Sequence, residues 1–374
     1  MNCFDVCCIP CILLFRFATW ICPCLFNTRL TTTDPFDVQL QSNRCTEGGW
    51  YTDYYATRVC TRESFYTLLA LRLRRKGHLY VKRFVERLAG SMTADGQIPS
   101  GFTYSWMSHA PVYASFQTRQ LTVDANMFFI LMVWWCHDKY PDTVRKYYLH
   151  CQRAMHWLET FAHNRTVYEP IGASWEYTRQ HDGVMLLTNT LMVQTVRSME
   201  LIACVMKDDR VQKQYEIEHG HWLDKWQVEI YKTQETLPRI LALYWNMVPG
   251  NFIQSFNQGI QQPHVPVRTA GPITAAVMMR DRLYGRGDLH TEVVWPWIGF
   301  FWASLLASRN HMDAAQGWWT AYIEMHHSNT LYDIYDVTSG HPVRRAFLKA
   351  MPAHSLTLAM QMSANQLLTG TPAV

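Results

Sequence analysis

Beyond about residue 50, apolar residues recur at helical spacing along almost the whole chain. The segments 62–76, 78–92, 122–138, 143–162, 184–207, 236–247, 271–284, 293–308, 313–327 and 354–368 each carry the pattern of a helix with a buried face, and 212–233 carries a weaker one. Turn signals separate them: Asp95-Gly96, Pro141-Asp142, Pro249-Gly250, Gly285–Gly287 and Ser339-Gly340. No alternating strand pattern of any length appears, and no Gly-rich βα turn or phosphate-binding loop is present. Helices joined in pairs describe a solenoid or a closed helical toroid. A solenoid repeats a consensus of roughly 30–45 residues, whereas these helices differ in length and their loops carry distinctive residues. The pattern predicts a single all-α domain over residues 31–374, closed on itself.

Composition narrows the class. The chain has 374 residues, 48% of them hydrophobic and 14% aromatic, with only 17% charged. Such a chain buries roughly three quarters of its unfolded surface, and its aromatic richness excludes disorder. The 34 basic and 30 acidic residues nearly cancel, to +4, so no nucleic-acid partner is expected. The one dense basic run, Arg72, Arg74, Arg75 and Lys76, reads as a solvated helix end.

Six of the eleven cysteines (Cys3, Cys7, Cys8, Cys11, Cys22 and Cys24) fall in the first 24 residues. From Val6 to Phe26 the only charge is Arg16. That stretch is long enough to span a bilayer, but an arginine near its middle costs about 2.5–3.5 kcal/mol. A secretory signal fits poorly, since Asp5 stands where a basic residue belongs. Cysteines beside an apolar segment are acceptors for acylation, which would make residues 1–30 a membrane anchor and the protein membrane-associated; a buried segment in a cytoplasmic protein is the alternative. The scattered Cys45, Cys60, Cys136, Cys151 and Cys204 read as buried free thiols. No metal is expected: HExxH is missing, and Cys136-His137, the nearest pairing, reads as packing. Asn164-Arg-Thr166 is a formal glycosylation sequon.

Five segments at helix ends or in loops hold the candidate chemistry. They are Arg58-Val-Cys-Thr-Arg-Glu-Ser64; Asp95-Gly-Gln-Ile-Pro99 with Thr122-Val-Asp-Ala-Asn-Met-Phe-Phe129; Gly172-Ala-Ser-Trp-Glu-Tyr-Thr-Arg-Gln-His-Asp-Gly183 leading into Thr188-Asn189; His290-Thr-Glu-Val-Val-Trp-Pro-Trp-Ile-Gly299; and Asn329-Thr-Leu-Tyr-Asp-Ile-Tyr-Asp-Val-Thr-Ser-Gly340. They combine carboxylates with flat rings, arginine and amides. Rings stack on the apolar faces of pyranoses, and carboxylates, amides and guanidinium bind vicinal hydroxyls. Two carboxyls in one cleft divide acid and base work when their surroundings push their pKa values apart. The lead pair is Glu176, after Trp175, and Asp333, after Tyr332. An indole beside Glu176 favours the raised pKa of a general acid.

In this order the segments resemble the six-hairpin (α/α)6 glycoside hydrolases: glucoamylases, glycogen-debranching amylo-1,6-glucosidases and processing-glucosidase-like enzymes. Arg62-Glu63-Ser64 is similar to that family's Arg-Asp-Ser, which binds the terminal glucose. Asp95–Pro99 with Val123-Asp-Ala125 is similar to the "DG-IP…VDA" pair of the debranching branch. Ser174-Trp-Glu176 resembles the loop that supplies the general acid, and Asn189 falls in the following "TNAL" helix. Val294-Trp-Pro-Trp297 resembles "VWPW", and Leu331–Tyr335 with Thr338–Gly340 resembles the segment that supplies the general base. Two departures stand out, Glu63 in place of Asp and Asp333 in place of Glu; they open the alternatives of Asp336 as base or of phosphate replacing it.

The resemblance implies an (α/α)6 barrel, no cofactor, a carbohydrate or glycoside substrate, and inverting hydrolysis of an α-linked glycoside. Glu176 would be the acid and Asp333 the base. Arg62 and Glu63 would grip the terminal sugar. Asp124, Trp175, Gln180, His181, Asp182, Asn189, Glu292, Trp295 and Tyr335 would complete the binding site. Two rivals keep the same toroid: a carbohydrate-binding protein without turnover, and a sugar epimerase using His181 and His290.

Overall fold

The computed structural model describes residues 49, 58–75, 77–104, 109–114, 121–170, 183–233, 235–253, 293–324, 334–336, 341–342, 344–345, 348–349 and 355–370. The segment 1–30, the segment 271–284, Cys45 and Lys76 lie outside them. The helices among the described residues are α1 (Thr61–Leu73), α2 (His78–Gly90), α3 (Asp124–Trp135), α4 (Pro141–Glu159), α5 (Leu186–Met206), α6 (Asp209–Lys232), α7 (Thr236–Tyr244), α8 (Pro296–Ser308), α9 (Met312–Glu324) and α10 (Ser355–Thr369). None of these helices is long and apolar enough to cross a membrane.

Local chemistry sets the ends of these helices. Pro141 and Pro296 open α4 and α8, where the missing N–H costs nothing. Asp208 caps α6 by accepting from the Val211 N–H at 3.2 Å. In α1, Glu63 lies in the first turn and Arg72 in the last, each at the end of the helix dipole that favours its charge.

The helices form two layers. In the inner layer α1 packs on α3, α3 on α5, α5 on α7, α7 on α8, α8 on α10, and α10 back on α1, so the ring is closed. Outside it, α2 lies against α1 and α3, α4 against α3 and α5, α6 against α5 and α7, and α9 against α8 and α10. The sequence matches this division. Inner α3 and α8 are buried almost all round, as a helix with no polar face must be. Outer α2 and α4 bury one stripe only: Val81, Phe84, Val85 and Leu88, and Val144, Tyr148, Cys151 and Met155. The fold is an all-α (α/α)6 barrel.

Two contacts hold the ring especially tightly. Ser363 of α10 donates to the Ala70 carbonyl of α1 at 2.5 Å, beside a 2.8 Å bond from Arg74 to Gln366. Between α8 and α9, a Cβ added at Gly299 would lie 2.0 Å from the Tyr322 ring. Only glycine permits that approach. Ring pairs link α1 to α3 and α8: Phe65 stacks on Phe128 at 4.3 Å and on Trp135 at 4.8 Å, and Tyr66 lies tilted 5.1 Å from Trp297. Each such pair contributes about 0.5–1.5 kcal/mol beyond its buried area.

Short strands supplement the helices. β1 (Arg58–Cys60), β2 (Gly101–Tyr104) and β3 (His109–Val112) form an antiparallel sheet in that order. Then come the pairs β4 (Ala162–His163) with β5 (Thr166–Val167), β6 (Val293–Val294) with β7 (Tyr335–Asp336), and β8 (Arg344–Arg345) with β9 (Leu348–Lys349). They correct the expectation of a chain without strands. At two to four residues each they are too short to show alternation.

Two other expectations change. The basic run at the end of α1 is bonded as well as solvated: Arg72 pairs with Asp138 at 3.6 Å, and Arg74 reaches Gln366. Of the scattered thiols Cys136 and Cys151 are buried, but Cys60 is half-buried and Cys204 exposed.

Candidate functional site

The starts of four inner helices meet at one end of the barrel. The Phe65–Phe128 and Tyr66–Trp297 contacts bring the N-terminal halves of α1, α3 and α8 together. The small sheets all lie just ahead of inner helices: β1 runs directly into α1, and β6 precedes α8 with only Trp295 between them.

Arg62 in the first turn of α1 and Asp124 at the start of α3 meet across this end. The Arg62 Nε and Nη2 both reach Asp124 Oδ2, each at 2.5 Å. The two side chains are 16% and 11% exposed. Burial works against the guanidinium's charge, but the adjoining Asp124 carboxylate outweighs it and holds Arg62 above its usual range. Glu63 is the next residue of α1 and is half-buried. Burial, followed by the Glu63 charge, pushes the neighbouring Cys60 thiol up to about 12, so this cysteine is a neutral wall of the site.

Two asparagines fix the loops that enter the inner helices. Asn126 of α3 receives the Ile98 N–H at 2.9 Å and donates to the carbonyls of Gly96 and Ala154 at 2.9 and 3.1 Å. It thereby seats the Asp95–Pro99 turn. Asn189 of α5 does the same for the next loop. Its Oδ1 accepts from Val167 N at 2.8 Å, and its Nδ2 donates to the carbonyls of Met185 (2.8 Å) and Val167 (3.3 Å). Asn189 is 0% exposed. Its amide is committed to backbone, so it holds a strand in place instead of facing a ligand.

That strand is one side of a stem. Tyr168 bridges Val184, and the Glu169 N–H donates to the Gly183 carbonyl at 2.6 Å. Gly183 sits at φ +76°, and a Cβ there would lie 2.9 Å from the Glu169 carbonyl oxygen. The stem brings together the two ends of the segment 171–182, which lies outside the described residues and contains Trp175, Glu176, Gln180, His181 and Asp182.

Glu169 itself is the residue that sequence reasoning passed over. Strand alternation turns Val167 and Glu169 inward and leaves Tyr168 exposed. The Glu169 Oε1 accepts the hydroxyl of Thr188 in α5, and the residue is 7% exposed. Burial pushes its carboxyl up to about 7; Asp124 adds to the rise, while the Thr188 bond and Arg62 oppose it. The only hint in the sequence is a lone acid inside the apolar run Val167-Tyr-Glu-Pro-Ile171.

On the other side of the site, Val294 pairs with Tyr335 and Val293 with Asp336. This pairing brings the Val294–Trp297 segment beside Tyr335 and Asp336. Trp295 is half-buried at the cap of α8. Tyr335 is 1% exposed and belongs to the core. Asp333 and Glu292 lie outside the described residues.

No family model matches the chain, and no curated protein does. Solved structures do match. A rhamnosidase from Klebsiella oxytoca with rhamnose bound aligns at a TM-score of 0.60 and 11% identity, over 91% of this chain and 65% of that one. The chain thus spans under two thirds of that enzyme's length. A variant of a protein described as a glycosidase aligns at 0.63 and 11% identity, over 89% of this chain and 95% of the other. The GH63 mannosylglycerate hydrolase from Thermus thermophilus, in complex with glucose, aligns at 0.58 and 10% identity, over 88% and 98%. This chain therefore has the six-hairpin (α/α)6 fold on which those glycosidases are built.

Proposed function

We propose that the protein is a glycoside hydrolase that cleaves an α-linked glycoside from its non-reducing end with inversion. The observation that carries this reading is the Arg62–Asp124 pair at the shared start of the inner helices. Its polar atoms lie on a rigid ring, as groups that orient sugar hydroxyls must. The rhamnosidase with rhamnose bound and the mannosylglycerate hydrolase in complex with glucose support a pyranose as the ligand. Glucosides are favoured by the motif resemblance, and mannosides and glycerate conjugates remain in the panel of substrates.

In this mechanism Glu176 protonates the glycosidic oxygen as the bond to the anomeric carbon breaks. Asp333 takes a proton from a water that attacks the opposite face of the ring. Inversion requires the two carboxyls to stand about 6.5–9.5 Å apart, leaving room for that water. Arg62 and Asp124 orient the terminal sugar, with Glu63 beside them, and Trp175 and Trp295 offer faces for stacking. Asn189 serves as a positioning residue for the loop that carries Glu176.

The test is proton NMR of the anomeric signal released from α-glucosides, α-mannosides and glycosylglycerates. Release of the β-anomer is the expected result, and Glu176→Gln should abolish it while retaining sugar-dependent thermal stabilisation. A fully active Glu176→Gln would falsify the assignment. Stabilisation by a sugar without release from the wild type would instead favour the binding protein, with Asp333 in place of the usual glutamate as its lesion.

A further inference from the structure

Charge is not spread evenly over the outer helices. α2 and α4 carry six basic and three acidic side chains, whereas α6 and α9 carry four basic and seven acidic ones. The two basic helices lie side by side. Near their starts, the Lys82 ammonium lies 5.0 Å from the ring of Tyr140, the residue before α4. Toward their ends, Arg153 of α4 donates to the carbonyls of Thr93 and Ala94, just beyond α2, at 2.7 and 2.8 Å. The helices therefore run in the same direction and present one continuous surface.

The acids on this surface are already matched. Glu86 faces Lys82 at 4.0 Å, Asp142 faces Arg145 at 2.6 Å, and Glu159 faces His156 at 3.6 Å. Arg83, Lys146 and Arg153 have no acid within ion-pair reach among the described residues, and all three are exposed. Two leucines stand among these cations. On α4, Arg145, Lys146, Leu149 and Arg153 recur at the spacing of one helix face. Leu149 is 68% exposed, more than any other large hydrophobic among the described residues, and Leu79, one turn before Arg83, is 43% exposed. An apolar side chain on the crest of a basic helix suits a surface that is anionic outside and apolar just beneath. Stacking on nucleic-acid bases would need exposed rings, but Tyr147 and Tyr148 are buried and Tyr140 lies beneath Lys82.

We propose that the face formed by α2 and α4 docks the barrel on the surface of an anionic lipid bilayer. Arg83, Arg145, Lys146 and Arg153 lie against the headgroups, and Leu149 enters between them. Each cation near such a surface adds to the attraction, and salt screens it. The face is on the side of the barrel, so docking leaves open the end that holds Arg62 and Asp124. The contact is peripheral, and it stands or falls independently of the hydrolase reading.

The experiment sediments the full chain with vesicles of phosphatidylcholine alone and of phosphatidylcholine mixed with phosphatidylserine. Binding should require phosphatidylserine and should vanish at about 1 M salt, where the screening length falls to about 3 Å. One Lys or Arg at an anionic surface contributes about fivefold in affinity. Reversing three charges together, Arg83→Glu, Arg145→Glu and Lys146→Glu, should therefore weaken binding by at least about 10²-fold. Exchanging Arg and Lys at the same positions should retain it. Leu149→Ser should weaken binding and leave its salt dependence in place. None of these residues belongs to the sugar site, so the kcat of any hydrolysis should match wild type in every variant. If the triple variant does not fold, each single reversal should still cost about fivefold or more. A wild type that stays in solution, or that sediments equally with both vesicles, overturns the proposal. So does charge reversal that leaves binding unchanged. Tighter binding to a DNA duplex, unaffected by Leu149→Ser, would overturn it in favour of a nucleic-acid contact.

Discussion

Arg62 and Asp124 are 62 positions apart in the chain, yet two guanidinium nitrogens meet one carboxylate oxygen at 2.5 Å. The contact pins α1 to α3 at the end of the barrel where the small sheets gather. Removing one partner leaves a mostly buried charge without compensation, at a cost of about 3–5 kcal/mol. Arg62→Met alone should therefore destabilise strongly, and Arg62→Met with Asp124→Leu should recover much of the loss. A double-mutant cycle by urea denaturation checks this; strictly additive effects would show that the pair contributes no coupling.

Asn189→Ala leaves the Val167 N–H and carbonyl without their side-chain partner in the interior, while the Met185 carbonyl keeps the backbone N–H of residue 189. Each orphaned group costs about 1–3 kcal/mol, so the variant should melt several degrees lower. Asn189→Asp should fare no better, since it replaces the Nδ2 donor with an acceptor facing carbonyls. Differential scanning calorimetry decides; a wild-type Tm for Asn189→Ala would show that the clamp is dispensable.

Stability should also depend on pH through Glu169. The folded carboxyl stands near 7 and the unfolded one near 4.5. Below about 4.5 both states hold the proton and the native state keeps its full stability. As the pH rises toward about 7 only the native state holds it, so stability falls at up to ~1.4 kcal/mol per pH unit. Above about 7 this contribution is gone. Glu169→Gln should flatten the profile across that window, read from urea midpoints at matched ionic strength. A profile identical to wild type would place the titrating group elsewhere.

Gly299→Ala should be among the most damaging single substitutions in the barrel. The new methyl would lie 2.0 Å from a ring that is itself wholly buried, so α8 and α9 must separate. A loss of more than about 3 kcal/mol is expected, beyond the usual range for overpacking. Adding Tyr322→Leu, which removes the obstructing ring, should restore part of it. Soluble yield and Tm report the outcome.

Most of the helical frame was legible because 3.6-residue periodicity survives in a barrel whose outer helices are half wet. The exception is instructive. The segment 212–233 looked weak, yet it lies within α6, the longest of the described helices, whose charged outer face dilutes the apolar stripe of Tyr215, Trp222, Trp226 and Ile230. The strands are not legible because two to four residues cannot show alternation. Arg62 and Asp124 could be found because motif chemistry marked both. Glu169 could not, since its character comes from Thr188, Asp124 and Arg62, none of which is near it in sequence. Asn189 was visible as a residue type but not as a role: an amide that binds sugar and an amide that binds backbone look alike until its burial is known.

The bond from Ser363 to Ala70 spans 293 positions, and it seals the ring. During synthesis every other inner helix is therefore made before the one that closes the circle. Through that interval α1 and α8 have an open seam beside them, and α8 is apolar on all sides. Contacts of such long range slow folding, and exposed apolar surface in a slow intermediate invites aggregation. The barrel's vulnerable moment thus comes before it is complete, in the interval before α10 arrives.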